Sequence, residues 1–373
     1  MIKGPVRIVV YAKQGTLFPS ANRELTKRLV RLQDLPNKLI NEFSTATTGL
    51  MSNVALESLA ALRSNTHQII TKFCPELDAA YLTHRSLLDP PEEAELHLVP
   101  LILSEILAVL EDRNVSKHVS IDNIAKWVDY RIGEGLSLYR KLKMKTKKKA
   151  RQAVLDIAEK GVRDKTLQDS YPQIRILLER LREESHRPSL NEFTKLLLLN
   201  GSGSEYDQEL ALLMSVRSRY ESPIPLLTLG TIIAEDVDED TSRYWLCVQP
   251  VCDSLRLKEK RNFPFLKMSK SAMDASFNYL VRDKESFVTL NLSLRPFQSK
   301  MIAFKPKGGE REIRASTESE SWYFVSVDTG QQKYRWIADL KPEHAQRVAN
   351  EYSYQISRVG LMESEWLRRW AKK

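Results

Sequence analysis

The sequence has little cysteine and no long apolar run. Its 373 residues include three cysteines, Cys74, Cys247 and Cys252, an odd number that is too small for a disulfide framework. Such thiols are typical of a reducing compartment, so we expect a cytoplasmic protein. No apolar run reaches the ~18 residues of a membrane-spanning helix, and the N-terminal "IVVYA" is too brief for an export signal. Neither membrane contact nor export is predicted.

The common phosphate-binding and metal-binding motifs are also missing. The glycines of "NGSGSE" are not followed by the Gly-Lys-Ser/Thr of a phosphate loop. Cys247 and Cys252 have no second cysteine or histidine pair beside them, as a structural zinc site requires. The six histidines are scattered along the chain. We therefore expect no metal and no cofactor, and we favour a non-enzymatic protein over an enzyme.

Positive charge is in excess. The formal net charge is +9 and the isoelectric point is about 9.2, which favours anionic partners but does not specify a fold. The composition, 42% hydrophobic and 28% charged, is close to the average of globular proteins. The chain is long enough for two or three domains, each with a hydrophobic core of its own.

The hydrophobic pattern changes twice along the chain, which predicts an α+β multidomain fold. From Arg23 to about Tyr220 apolar residues recur with a helical period, as Leu59, Leu62 and Ile69 do. Prolines then break this pattern, and β-branched and aromatic residues predict an antiparallel, barrel-like sheet. Helical periodicity returns after Pro342. The predicted units are an isolated strand at 1–15, an α-helical domain at 16–220, a β-rich domain at 221–340 and a C-terminal helix at 341–373.

Charge is most concentrated in "YRKLKMKTKKKAR", residues 139–151, which we call the basic segment. In a single helix its cations would point in all directions, and like charges four positions apart would repel each other. The segment is therefore a solvated linker, a binding site for an anion or nucleic acid, or a binding site for an acidic protein. Lysines without aromatic or amide neighbours hold phosphates but do not read bases. The candidate nucleic-acid ligands are Lys143, Lys145, Lys147, Lys148, Lys149 and Arg151.

A second candidate site follows the predicted strand "YWLCVQP". Cys252, Asp253 and Arg256 place a thiol, a carboxylate and a guanidinium within five residues. A cysteine nucleophile needs a base, usually histidine, and none lies nearby in the sequence. The alternative interpretation has Cys252 as a small buried hydrophobe, Asp253 capping the bend and Arg256 pairing with it.

Two further groups are candidates for a partner interface. Arg63 and His67 lie four positions apart on one predicted helix, where they bind phosphate or organise a helix contact. Trp366 and Trp370 belong to an aromatic C-terminal segment. Both groups suit contacts with another protein.

Three stretches together resemble a known family. They are "TGLMSNVALESLAALRSNTHQ", "LGTIIAE" with "YWLCVQPVCDSLRL", and "QISRVGLMESEWLRRW". They are similar to the output region that follows receiver domains in bacterial response-regulator-like proteins, whose genes accompany histidine-kinase-like ATPases in defence-associated clusters. The resemblance makes "VRIVVYAK" the last strand of a receiver domain, with Lys13 in the place of the lysine that contacts the phosphorylated aspartate. It implies a histidine-kinase-like ATPase as partner, and it carries over no catalytic residue.

Three hypotheses about function follow. The first is a non-enzymatic adaptor or output subunit of a bacterial complex, in antiviral defence by the resemblance, which acts through protein–protein contacts. The second is a sequence-nonspecific nucleic-acid-binding protein that uses the basic segment. The third is an effector enzyme with a site around Cys252 and Asp253.

Overall fold

The structure, a computed structural model, describes residues 49–357 and Trp370, apart from 137, 183–187, 199–202, 239–240, 273–276, 319 and 329. The strand predicted at 1–15, with Lys13, and also Trp366 lie outside the described residues. The chain forms two compact units. The first, helical unit comprises Met1–Arg182 and Leu196–Asn200, and the second comprises Glu183–Lys195 and Gly201–Lys373.

Helices occupy most of the described chain up to residue 215. They are α1 Leu50–Lys72, α2 Asp78–Ser86, α3 Glu93–Asp112, α4 Ile121–Gly133, α5 Leu138–Lys141, α6 Lys147–Lys160, α7 Thr166–Ser170, α8 Arg175–Arg182, α9 Pro188–Leu197 and α10 Gly203–Ser215. Short 3-10 turns lie at Pro75–Leu77, Val115–Val119 and Pro172–Ile174. No helix in the described part of the chain is both long and apolar enough to cross a membrane.

Helix α6 shows how the sequence sets these boundaries. Thr146 caps its start, because the Thr146 hydroxyl accepts a hydrogen bond from the backbone N–H of Lys149 at 3.3 Å. Gly161 ends it with a positive φ of 74°, a conformation that glycine adopts without strain. Between them one face is buried, formed by Ala150, Ala153, Val154, Leu155 and Ile157. The helix predicted over "KKARQAVLDIAEKG" is therefore confirmed.

The second unit is built on one curled antiparallel sheet, a half-barrel. Its strands, among the described residues, are β1 Thr231–Asp236, β2 Ser242–Cys247, β3 Arg261–Lys270, β4 Tyr279–Asp283, β5 Ser286–Leu292, β6 Ser299–Phe304, β7 Ser316–Glu318, β8 Ser321–Val325 and β9 Lys333–Asp339. The order is β4-β5-β3-β2-β1-β9-β8-β7, and β6 pairs with β3. Along one edge, β3 pairs with β6 at its start and with β5 at its end, so the sheet divides there.

Both faces of the central strands are buried. This explains why the apolar residues of β1, from Ile232 to Ala234, follow one another without alternating with polar residues. Ile232 and Ala234 belong to one core, whereas Ile233 between them belongs to the other. The first core is covered by the terminal helix α12, Pro342–Ile356, through Ala345 and Val348. The helical region, the antiparallel half-barrel and the terminal helix together confirm the predicted α+β fold class.

One charged network lies inside the half-barrel. Arg335 on β9 is 7% exposed and forms an ion pair with Asp283, which is also buried. Its Nε and Nη2 atoms donate to Asp236 at 3.1 and 2.9 Å. The Tyr244 hydroxyl donates to Asp283 at 2.6 Å. Buried charges of this kind are tolerated only when they are paired and hydrogen-bonded, so these side chains depend on one another.

Candidate nucleic-acid interface

The basic segment folds as two helix ends joined by a turn. Helix α5 ends at Lys141 and α6 begins at Lys147. In the turn Leu142 and Met144 are buried, whereas Lys143 and Lys145 are exposed. The alternation of apolar and basic residues therefore anchors the backbone in the helical core and leaves the ammonium groups in solvent. Lys143 has a left-handed φ of 53°, a conformation that costs about 1–2 kcal/mol for a residue with a side chain.

Half of the eight cations in this segment have no ion-pair partner within the part of the chain that the structure describes. Within the described residues, no carboxylate forms an ion pair with Lys143, Lys145, Lys148 or Lys149. Arg151 differs, because its Nη2 atom donates to Oδ2 of Asp129 on α4 at 2.8 Å. The hydrogen bond from Arg151 lowers the pKa of Asp129, so this carboxylate stays charged and neutralises the arginine. These four lysines, and not Arg151, are therefore available to bind an external anion.

The lysines also occupy the electrostatically unfavourable end of α6. Its first turn contains Lys147, Lys148 and Lys149 and no acidic residue. The positive end of the helix dipole favours carboxylates there, and each misplaced charge costs on the order of 0.3–1 kcal/mol. A bound phosphate would reverse this penalty, because it would interact favourably with the lysines and with the helix end.

A cavity of about 420 Å³, which we call the Tyr171 cavity, adjoins these lysines. Lys145 and Lys149 line one part of it, and Tyr171 with Pro172 lines another. The volume falls within the range of about 300–1,000 Å³ that is typical of small-molecule sites. Cationic and aromatic side chains thus border the same space.

Asp156 on α6 holds two side chains of the Tyr171 cavity in place. It accepts hydrogen bonds from the Tyr171 hydroxyl and, at 2.7 Å, from Nε2 of Gln152. Burial and the hydrogen bond to Asp156 raise the pKa of Tyr171 to about 12, so the phenol keeps its proton and remains a donor. The sequence analysis missed both Tyr171 and Gln152. No periodic pattern connects residue 171 with the lysines, and only the chain reversal between α6 and α7 brings them together.

At the second candidate site the structure contradicts one prediction. Cys252 lies on α11, Val251–Ser254, and is exposed, so the interpretation as a buried hydrophobe is wrong for this residue. The buried cysteine is Cys247, whose pKa burial raises to about 12. Asp253 forms an ion pair with Arg261 at 3.4 Å. The hydrogen bonds and ion pairs of the described residues give Cys252 no histidine or carboxylate partner, so they supply no base for a thiol nucleophile.

The predicted partner-interface residues that the structure describes are exposed. Arg63 and His67 lie one turn apart on the surface of α1. Trp370 is 71% exposed. Solvent exposure is what a protein contact requires.

An apolar surface that the sequence analysis missed lies on α3. Leu96, Val99, Leu103 and Leu107 are each between 43% and 61% exposed. Their spacing of three and four positions places them on one helical face, which we call the α3 stripe. Glu105 lies nine positions after Leu96, which is about two and a half turns at 3.6 residues per turn, so it is on the opposite side of the helix. There it forms an ion pair with Lys72 of α1. The α3 stripe therefore lies on the side of α3 opposite the ion pair with α1.

Comparison of the chain with protein-family models, with curated proteins and with solved structures finds no match.

Proposed function

We propose that the chain is a sequence-nonspecific nucleic-acid-binding protein and that the basic segment holds phosphate groups. One observation carries this proposal: Lys143 and Lys145 in the turn before α6, and Lys148 and Lys149 in its first turn, are exposed and have no acidic partner among the described residues. A cluster of unpaired cations at a helix N-terminus is unfavourable until an anion binds. Lysine contacts phosphate as a point charge, so the binding does not depend on base sequence.

The salt dependence of binding tests this proposal. Each neutralised phosphate of a single strand contributes a slope of about −0.7 to log K against log salt concentration. Four lysine contacts therefore predict a slope of about −3. Fluorescence anisotropy of a labelled oligonucleotide, measured over a salt series, gives this value. A slope near zero, or affinity that depends on base sequence more than on salt, would contradict phosphate contacts as the basis of binding.

A second function is supported by the α3 stripe. Apolar patches of this kind on a folded surface mark protein–protein contacts. The chain would then act as an adaptor or output subunit that presents α3 to a protein partner. The resemblance to output regions that follow receiver domains makes a histidine-kinase-like ATPase of a bacterial defence complex the first partner to test.

Replacing leucines of the α3 stripe with glutamate tests the adaptor function. We expect Leu96→Glu with Leu103→Glu to abolish co-purification of a partner and leave the helical content unchanged, because both residues are about half exposed and neither belongs to the buried core. A contrasting control is Ala61→Glu, which introduces one such charge at a position that is 1% exposed and should unfold α1. Retention of the partner by the doubly substituted protein would rule out the α3 stripe as its binding surface.

A further inference from the structure

The Tyr171 cavity differs from a purely electrostatic phosphate site. A duplex backbone needs only exposed cations, and the lysines provide these without a cavity. Here Lys145 and Lys149 share a cavity with Tyr171, which is partly buried, and with Pro172. A recess with an aromatic side chain and cations at its margin is suited to a flat ring that carries a phosphate.

The aromatic side chain is fixed before any ligand binds. The Tyr171 hydroxyl donates to Asp156, and Asp156 also accepts from Nε2 of Gln152 at 2.7 Å. The Tyr171 hydroxyl and one N–H of Gln152 are therefore committed to the carboxylate. Gln152 retains its amide oxygen, an acceptor for the amino and imino groups of a base, and the second N–H of its amide, a donor. The side chains lose little further freedom when a ligand enters.

We propose that the Tyr171 cavity accepts one unpaired base of a single strand, with the base stacked on Tyr171 and its flanking phosphates on Lys145 and Lys149. This inference rests on the proposed nucleic-acid binding and specifies its substrate as single-stranded DNA or RNA. Bases of a duplex are paired and stacked inside the helix, so they do not reach a recess of this kind. Every base has a stacking face, so this contact is tolerant of sequence.

The test compares a fluorescein-labelled 20-nucleotide strand with the same strand in a duplex. The full-length chain is measured as wild type, as Tyr171→Leu, which removes the ring, and as Tyr171→Phe, which keeps it. We expect Tyr171→Leu to weaken single-strand binding by about 5- to 150-fold, the range for loss of one base–aromatic stack. Duplex binding should remain within about twofold, and Tyr171→Phe should bind the strand like wild type. Thermal melting by circular dichroism verifies that each variant is folded.

The outcomes separate this inference from the proposed function. If wild type binds neither strand nor duplex, nucleic-acid binding itself is wrong. If wild type binds both equally and Tyr171→Leu changes neither, the lysines hold phosphate but the cavity takes no base. Equal losses for strand and duplex would also overturn the inference, because they show a structural role of Tyr171. A nucleoside monophosphate that displaces the oligonucleotide at comparable concentration would identify a free nucleotide as the ligand instead.

Discussion

Replacing Lys143, Lys145, Lys148 and Lys149 with Glu should weaken nucleic-acid binding about 1,000-fold at low salt and at the same time make the helical unit more stable. The affinity estimate assumes about 1 kcal/mol for each charged contact and a factor of ten for every 1.4 kcal/mol. The stability gain, about 1–2 kcal/mol, arises because Lys148 and Lys149 lie at the positive end of α6, where carboxylates are favoured. Anisotropy and urea unfolding measure the two effects.

The opposite signs of these effects make the experiment decisive. A variant that loses binding because it unfolds would lose stability as well. The matched control changes four other exposed lysines to Glu: Lys165, Lys267, Lys305 and Lys307. It has the same net charge as the test variant, so any loss of long-range attraction is common to both. We expect the control to retain affinity within about tenfold. Equal losses in the two variants would show that net charge, and not the basic segment, drives binding.

Removal of Arg335 should destabilise the half-barrel more than any other single change that we consider. Arg335→Met leaves the buried carboxylate of Asp283 without its cationic partner. Breaking a buried ion pair from one side costs about 3–5 kcal/mol, since the remaining charge is desolvated and unpaired. Urea denaturation followed by tryptophan fluorescence reports this loss, because Trp245 and Trp336 lie on the same sheet.

Two control variants separate the destabilisation caused by the unpaired charge from that caused by lost packing. Tyr244→Phe removes one hydrogen bond to Asp283 but leaves the ion pair, so it should cost only about 1 kcal/mol. Arg335→Met combined with Asp283→Leu should recover much of the loss, because no fully buried charge remains unpaired. A double variant that is less stable than Arg335→Met alone would refute this explanation.

The pH dependence of stability provides a further readout. Burial opposes ionisation of Asp236, but hydrogen bonds from Arg335 and Ser242 outweigh it, and the net effect lowers the pKa of this carboxyl. A lowered folded-state pKa stabilises the fold above the unfolded value of about 3.9, and this stabilisation is lost as the pH falls through the folded-state pKa. Arg335→Met should therefore flatten the acid limb of the stability curve.

Several predictions from the sequence hold because they depend on local chemistry. The helix over "KKARQAVLDIAEKG" needs only an N-cap, an apolar face and a glycine stop, and all three are visible in the sequence. The change from helical to strand pattern before β1 is likewise local. The prediction for Cys252 failed because burial is not a local property. Cys247 and Cys252 are both cysteines next to apolar residues, yet only Cys247 belongs to a core strand.

The sequence by itself determined the fold class, the helix α6 that begins within the basic segment, and the excess of positive charge. Only the tertiary structure showed which cations lack a partner, since Asp129 reaches Arg151 from another helix, α4. It also decided the position of Tyr171 beside Lys145 and Lys149, and the outward direction of the α3 stripe. The physical reason is the same in each case. Periodicity and capping act within a few residues, whereas ion pairs, cavities and exposed faces depend on contacts between segments that are far apart in the chain.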